Sequence, residues 1–145
     1  MTFEDVPDDW PTRPLSDQVL AADLLDLCIT DQDRMKGGLS LLLCRRDDTL
    51  AQPVFVGDIP DPDELSFTVE RMLEITGEVP EVASVVLSIV RHWGSVTDAD
   101  RALHQHAIEV CGRTGIRLLG TFLVTSAGVT PLPVASALLS RHGAA

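Results

Sequence analysis

The residues best placed for chemistry lie in one polar stretch, Arg91-His92-Trp93-Gly94-Ser95-Val96-Thr97-Asp98-Ala99-Asp100. It follows the apolar run Val82 to Val90 and leads into a helical pattern that ends at Gly115. In an α/β domain such a bend is a natural site, because the strand end is fixed and the helix N-terminus offers unpaired N–H groups. His92 supplies an imidazole, and Asp100 or Asp98 supplies a carboxylate that would orient it and stabilise its charged form. Together they would make the acid/base pair of a small-molecule hydrolase or lyase. The candidate catalytic residues are therefore His92, Asp100 and Thr97, and the candidate binding residues are Arg91, His92, Trp93 and Ser95. The plainer reading of Thr97-Asp98-Ala99-Asp100 is an N-cap followed by acids in a first turn, each stabilising the helix dipole by about 0.3–1 kcal/mol. On residue types alone the plainer reading weighs more.

Other reactive side chains are scattered. His104 and His106 are two apart on the last strong helix, so they point in different directions and cannot chelate one ion together. Both are expected at the surface or partly packed, and His142 is expected to be solvated in the tail. Cys111 is a helical residue with no base beside it and reads as packing. A zinc site needs three or four convergent ligands, and the chain has no HExxH, no CxxC and no EF-hand ladder. Gly37-Gly38 lacks the lysine of a phosphate loop and precedes a strand, and no serine sits in a G-x-S-x-G turn. The expectation is no metal and no cofactor.

Composition sets the frame for these residues. At 145 residues with 45% apolar content, the chain can bury one core without disulfides or metal. Aromatic residues are only 4%, so that core must be aliphatic. The formal charge of −11 would repel a phosphate backbone, so nucleic-acid binding is disfavoured. An acidic N-terminus is the reverse of a leader peptide, and no apolar run reaches the roughly 18 residues of a membrane span. Three unpaired-looking cysteines, Cys28, Cys44 and Cys111, suit a reducing cytoplasm.

The positioning elements follow from periodicity and punctuation. Residues 1–14, acidic and proline-rich, read as an arm that Trp10 would pin if it is ordered. Ser16 and Asp17 open an amphipathic helix from Asp17 to Ile29, with Leu20, Leu24, Leu27 and Cys28 at helical spacing. The polar TDQDRMKGG breaks it. Leu39 to Cys44 and Val54 to Val56 form an antiparallel hairpin about Arg45-Arg46-Asp47-Asp48, with Pro53 best tolerated on an edge strand. Asp61 caps a helix whose core face is Leu65, Val69, Met72 and Leu73 and which Gly77 ends. Val82 to Val90 is a central strand covered on both faces. Thr97 caps a helix to about Arg113, with Ala99, Leu103, His106 and Val110 on one side. Strands Arg117 to Thr125 and Val129 to Leu132 finish a domain spanning 15–134, followed by a tail, 135–145. The expected fold is α/β (α+β), a mixed sheet flanked by helices in the order α-β-β-α-β-α-β-β.

The hairpin LSLLLCRRDDTLAQPVFVGDI, the strand ending in a polar turn, and the helix running into Gly115-Ile116-Arg117-Leu118-Leu119 resemble the JAB/MPN domain, particularly its RadC branch. The resemblance covers about two thirds of the chain, from Leu39 to Leu132. It implies a zinc site of a His-x-His at the strand end, a Ser/Thr-x-x-Asp opening the next helix, and an upstream Glu. Thr97 and Asp100 match the Ser/Thr-x-x-Asp element. The His-x-His is not matched, since the turn reads Arg91-His92-Trp93, and Asp58 stands near where the upstream acid would be sought. The resemblance thus implies a pseudoenzyme, degenerate at its metal site. The leading expectation is a non-catalytic domain acting through protein–protein interaction, its acidic surface steering a basic partner. Self-association through the edge of the Leu39 to Val56 hairpin is the other partner expectation.

Overall fold

The computed structural model describes residues 6–59 and 62–132. The first five residues, the cap position Asp61 with its neighbour Pro60, and the tail including His142 lie outside the described residues. Among those described, the helices are α1 (Gln18–Cys28), α2 (Asp31–Lys36), α3 (Pro62–Thr76) and α4 (Asp98–Thr114). The strands are β1 (Gly38–Cys44), β2 (Leu50–Gly57), β3 (Ser84–Val90), β4 (Arg117–Thr125) and β5 (Gly128–Pro131). They form one mixed five-stranded sheet in the order β2-β1-β3-β4-β5. Only β3 and β4 run parallel, joined by the α4 crossover; the other pairs are antiparallel.

Alternation along the strands splits the core in two. Leu39, Leu41, Val85, Leu87, Ile89 and Leu123 face α3 and α4, which present Val69, Leu73, Leu103, Ala107 and Val110. Leu42, Cys44, Val86, Val90, Phe122 and Val124 face α1, which presents Leu20, Ala21, Leu24 and Leu25. Every residue of β3 is buried, as a strand covered on both faces must be. Each fully buried leucine contributes about 2 kcal/mol of transfer free energy, so these two layers dominate stability. Val6 is buried in the α1 layer and Trp10 packs against it, so the N-terminal arm is attached from Val6 onward. β2 is an edge strand, the position that tolerates Pro53.

Three expectations need correction. The cap of α1 is Asp17, not Ser16: its carboxylate accepts from Val19 N at 3.0 Å and Leu20 N at 3.2 Å. The polar TDQDRMKGG is not merely a break, because its middle is α2, opened by a Thr30/Asp33 capping box with both bonds at 3.1 Å. The order is therefore α-α-β-β-α-β-α-β-β. Six residues are too few to show a hydrophobic period, and tertiary contacts hold this helix instead. Arg34, 5% exposed, donates to the carbonyls of Asp26, Ile29 and Thr125 and to the Asp26 carboxylate, clasping the α1–α2 corner to the end of β4. In α4 the buried stripe is Asp100, Leu103, His104, Ala107, Val110 and Cys111. Ala99 is exposed and His106 only half-buried, bonding Glu70 on α3 at 3.1 Å. The expected face was out of phase by about one residue, and a turn of 3.6 residues makes that enough to exchange one histidine for the other.

No helix among the described residues is long and apolar enough to cross a membrane.

Candidate functional site at the end of the central strand

The bend from Arg91 to Thr97 is built by its two flanks. Arg91 N donates to Val124 O at 3.0 Å, extending the parallel ladder one residue beyond β3. The His92 carbonyl accepts from Ser126 N at 2.9 Å and from Ser126 Oγ at 2.7 Å, so the β4–β5 turn pins the backbone. Gly94 then reverses the chain at φ +115, a backbone conformation that favours glycine. Thr97 Oγ1 accepts from Asp100 N at 3.2 Å, and the Asp100 carboxylate accepts from Thr97 N at 2.8 Å. This capping box starts α4 as its Thr-x-x-Asp spacing requires.

The structure brings Asp100 to Arg91 rather than to His92. Arg91 Nη1 donates to Asp100 Oδ1 at 2.8 Å and Nη2 to Asp100 Oδ2 at 2.6 Å. Nη2 also reaches Ser95 O at 2.7 Å. A planar fork on a planar carboxylate is the strongest ion-pair geometry available to side chains. Asp100 is 5% exposed, and burial alone would raise its carboxyl pKa. The Arg91 hydrogen bonds, the Thr97 N–H and the Arg91 charge outweigh burial and hold it below the ordinary carboxylate range. In turn the Asp100 hydrogen bonds raise Arg91 above its ordinary value. Such a carboxylate is a poor base and has no need of a further cation.

The other candidates stand outside this pair. His92 is exposed, and its ring meets no carboxylate among the described residues. Asp98 is exposed and pairs with Arg101 at 2.7 Å. Ser95 contributes its carbonyl, and Thr97 acts through its cap. Trp93 is 78% exposed. Asp58, at φ +59 just past β2, is exposed, and its N–H donates to Gly37 O at 3.0 Å. A hollow of about 420 Å³ lies beside the ion pair, between the first turns of α3 and α4, walled by Asp63, Leu65, Thr97 and Leu103. Among the described residues no three of His, Cys, Asp and Glu converge as metal ligands.

The more unusual histidine is His104, one turn into α4 from Asp100. It is 8% exposed, with Nδ1 at 2.6 Å from Thr121 Oγ1 and with Nε2 buried and without a partner among the described residues. Burial lowers its pKa, so the imidazole is neutral near pH 7. The buried thiols are equally quiet: burial pushes Cys111 up to about 11, and burial with the nearby Asp48 charge pushes Cys44 up to about 12. Neither is a nucleophile at neutral pH. His104 was legible only through helix phase: on α4 it falls beside Leu103 and Ala107, on the stripe that meets the sheet.

No protein-family model matches the chain, and no curated protein matches it.

Proposed function

We propose that this chain is a non-catalytic, RadC-like member of the JAB/MPN class that acts by binding a protein partner. One observation carries the reading: the guanidinium of Arg91 takes both oxygens of Asp100 at the bend where the resemblance would place a metal. The donor set there does not fit zinc. Its carboxylate is already neutralised by a fixed cation, and the turn Arg91-His92-Trp93 offers one imidazole where a tetrahedral site needs three protein ligands. An internal cation thus does the electrostatic work of holding the strand end to the helix. The mixed sheet, its hairpin and its strand–turn–helix unit are compatible with the JAB/MPN class. Trp93, 78% exposed beside His92, supports a partner-binding role, because tryptophan is enriched among residues that dominate interfaces. With a net charge of −11, the favoured partner is basic.

Calorimetric titration with Zn²⁺ tests the reading. Wild type should show no stoichiometric binding, whereas Arg91→His with Trp93→His should acquire one site of measurable affinity. Stoichiometric zinc in wild type, or a hydrolytic activity abolished by His92→Ala, overturns the proposal and returns His92 to a catalytic role.

A further inference from the structure

We propose that the recess between the C-terminal half of α4 and the start of β4 is a binding site for a small, uncharged, largely apolar molecule carrying one hydroxyl group. This site is separate from the Arg91–Asp100 bend and does not depend on the family reading.

The recess has a volume of about 280 Å³, and its walls include His104, Ile108, Cys111, Gly112 and Leu118. The first four stand at i, i+4, i+7 and i+8 and so share one stripe of α4. Opposite them β4 is irregular. Its pairing with β3 slips between Val85 and Val86, which face Leu118 and Gly120, leaving Leu119 as the extra residue of a bulge. Strand β5 pairs only with Phe122 to Thr125, so among the described residues the start of β4 has a strand on one side only. Helix and bulged strand therefore diverge where none of the other described residues fills the gap. A dry cavity of about 150 Å³ holds benzene, so this recess suits a guest of roughly ten to fifteen heavy atoms.

Two details point to a guest rather than to loose packing. Gly112 lies within α4, where glycine is a poor helix former, and its backbone does not require it, since its φ is not positive. Gly112 is exposed on the wall of the recess, and a Cβ there would meet nothing within 4 Å, so a larger side chain has room to lie over it. Then there is His104, 8% exposed, whose Nδ1 is engaged by Thr121 Oγ1 and whose Nε2 has no partner among the described residues. Native interiors rarely leave such an atom unsatisfied, and sites that await a ligand are one reason they do. The Thr121 hydroxyl can give or accept the Nδ1 bond, which makes Nε2 a donor or an acceptor respectively. A ligand hydroxyl satisfies either tautomer, and this is why a hydroxyl is specified. Nε2 is closed to water, so a guest reaches it by parting the side chains above it.

Charge selection follows from the walls. Among the described residues none of them is acidic, lysine or arginine. The imidazole is held neutral by burial, and the Cys111 thiol is pushed up to about 11. An ionised guest would lose its hydration without compensation.

The test uses the full chain with ¹⁵N-labelled histidine and three probes of similar size: p-cresol, toluene and benzoate. p-Cresol should saturate the protein and bind about tenfold more tightly than toluene or benzoate. It should also move the His104 imidazole ¹⁵N resonances, which toluene should leave in place. Gly112→Leu should fill the mouth and weaken p-cresol about tenfold or more while the circular dichroism spectrum is kept. His104→Leu should retain toluene but lose the preference for p-cresol. The proposal is overturned if no probe saturates wild type, if Gly112→Leu binds p-cresol unchanged, or if benzoate binds as well as p-cresol. Zinc binding by wild type would refute the proposed function and leave this site untouched.

Discussion

Asp100 and His104 stand one turn apart on α4, both facing inward, and the protein treats them in opposite ways. Asp100 has both carboxylate oxygens engaged, by two Arg91 nitrogens and by the Thr97 N–H of the capping box. His104 has one nitrogen engaged and one left over in the dark. A buried charge cannot be left half-satisfied, because desolvation would drive its pKa until the charge disappeared. A neutral imidazole can, at a cost small enough for the fold to carry. Polar groups that look most chemical in a sequence can therefore be the ones whose chemistry is already used up by folding. The functional opening lies with the group that folding leaves incomplete.

The comparison breaks most visibly at Arg91. Arg91→Met leaves a carboxylate that is 5% exposed without its cation, and unfolding by denaturant should show a loss of about 3 kcal/mol. That is the low end for a buried pair, since the Arg91 side chain keeps 30% of its exposure. Arg91→Met combined with Asp100→Leu should recover most of the loss, because the penalty lies in the orphaned charge and not in the missing bridge. If the double variant is as unstable as the single, Asp100 matters for the helix start rather than for the pair.

The same pair sets a pH dependence whose sign is fixed. The folded-state pKa of Asp100 is depressed, so its stabilisation is present above the unfolded value near 3.8 and is lost as pH falls through the lower folded value. Wild-type melting temperature should therefore hold from pH 7 to pH 5 as far as this group is concerned, and fall below about pH 4. In Arg91→Met the cation is gone and burial dominates, so the Asp100 pKa should rise. The gap between variant and wild type should then narrow between pH 7 and pH 5. A gap constant over that range would show that water, not Arg91, solvates the carboxylate.

Thr97 sharpens the comparison at lower cost. Thr97→Ala removes the acceptor for Asp100 N and should cost about 1 kcal/mol, while Thr97→Ser should cost a few tenths. Equal losses in both variants would place the effect in side-chain packing instead of the cap.

How much of this was readable beforehand depends on whether the signal is local. α4 announces itself through Thr97, Asp100 and Gly115, whose φ of +80 is a standard helix stop, and β4 falls on Arg117 to Thr125 as its apolar run indicates. The mixed sheet follows from the hairpins and the crossover helix. α2 was hidden because six residues carry no period and its anchor, Arg34, bonds to carbonyls as distant as Thr125. At the site, the residue pattern makes Thr97 the cap and Asp100 an acid of the first turn, as the structure has them, but it does not show that Asp100 pairs with Arg91. The available clue was that a buried aspartate demands a cation, and Arg91 is the one arginine or lysine between β3 and α4. His104 was misplaced because two histidines two apart compete for one face, and only the phase set by Leu103, Ala107 and Val110 decides between them.

The smallest effect separates the two residues most cleanly. Replacing both members of a satisfied buried pair costs its geometry, whereas replacing both members of a half-satisfied one removes a standing penalty. His104→Leu with Thr121→Val deletes the 2.6 Å contact and the unpartnered Nε2 together, and both replacements fit a layer already lined by Leu103 and Leu123. Chemical denaturation should show no loss, with a shift of about 0.5 kcal/mol toward greater stability. His104→Leu alone should do worse than the double variant, because it strands the Thr121 hydroxyl, which is 1% exposed. A double variant less stable than wild type by more than about 1 kcal/mol would mean that the His104 ring is fully used in holding α4 to β4. In that event the two residues would be alike after all, and the recess beside His104 would have no polar group waiting in it.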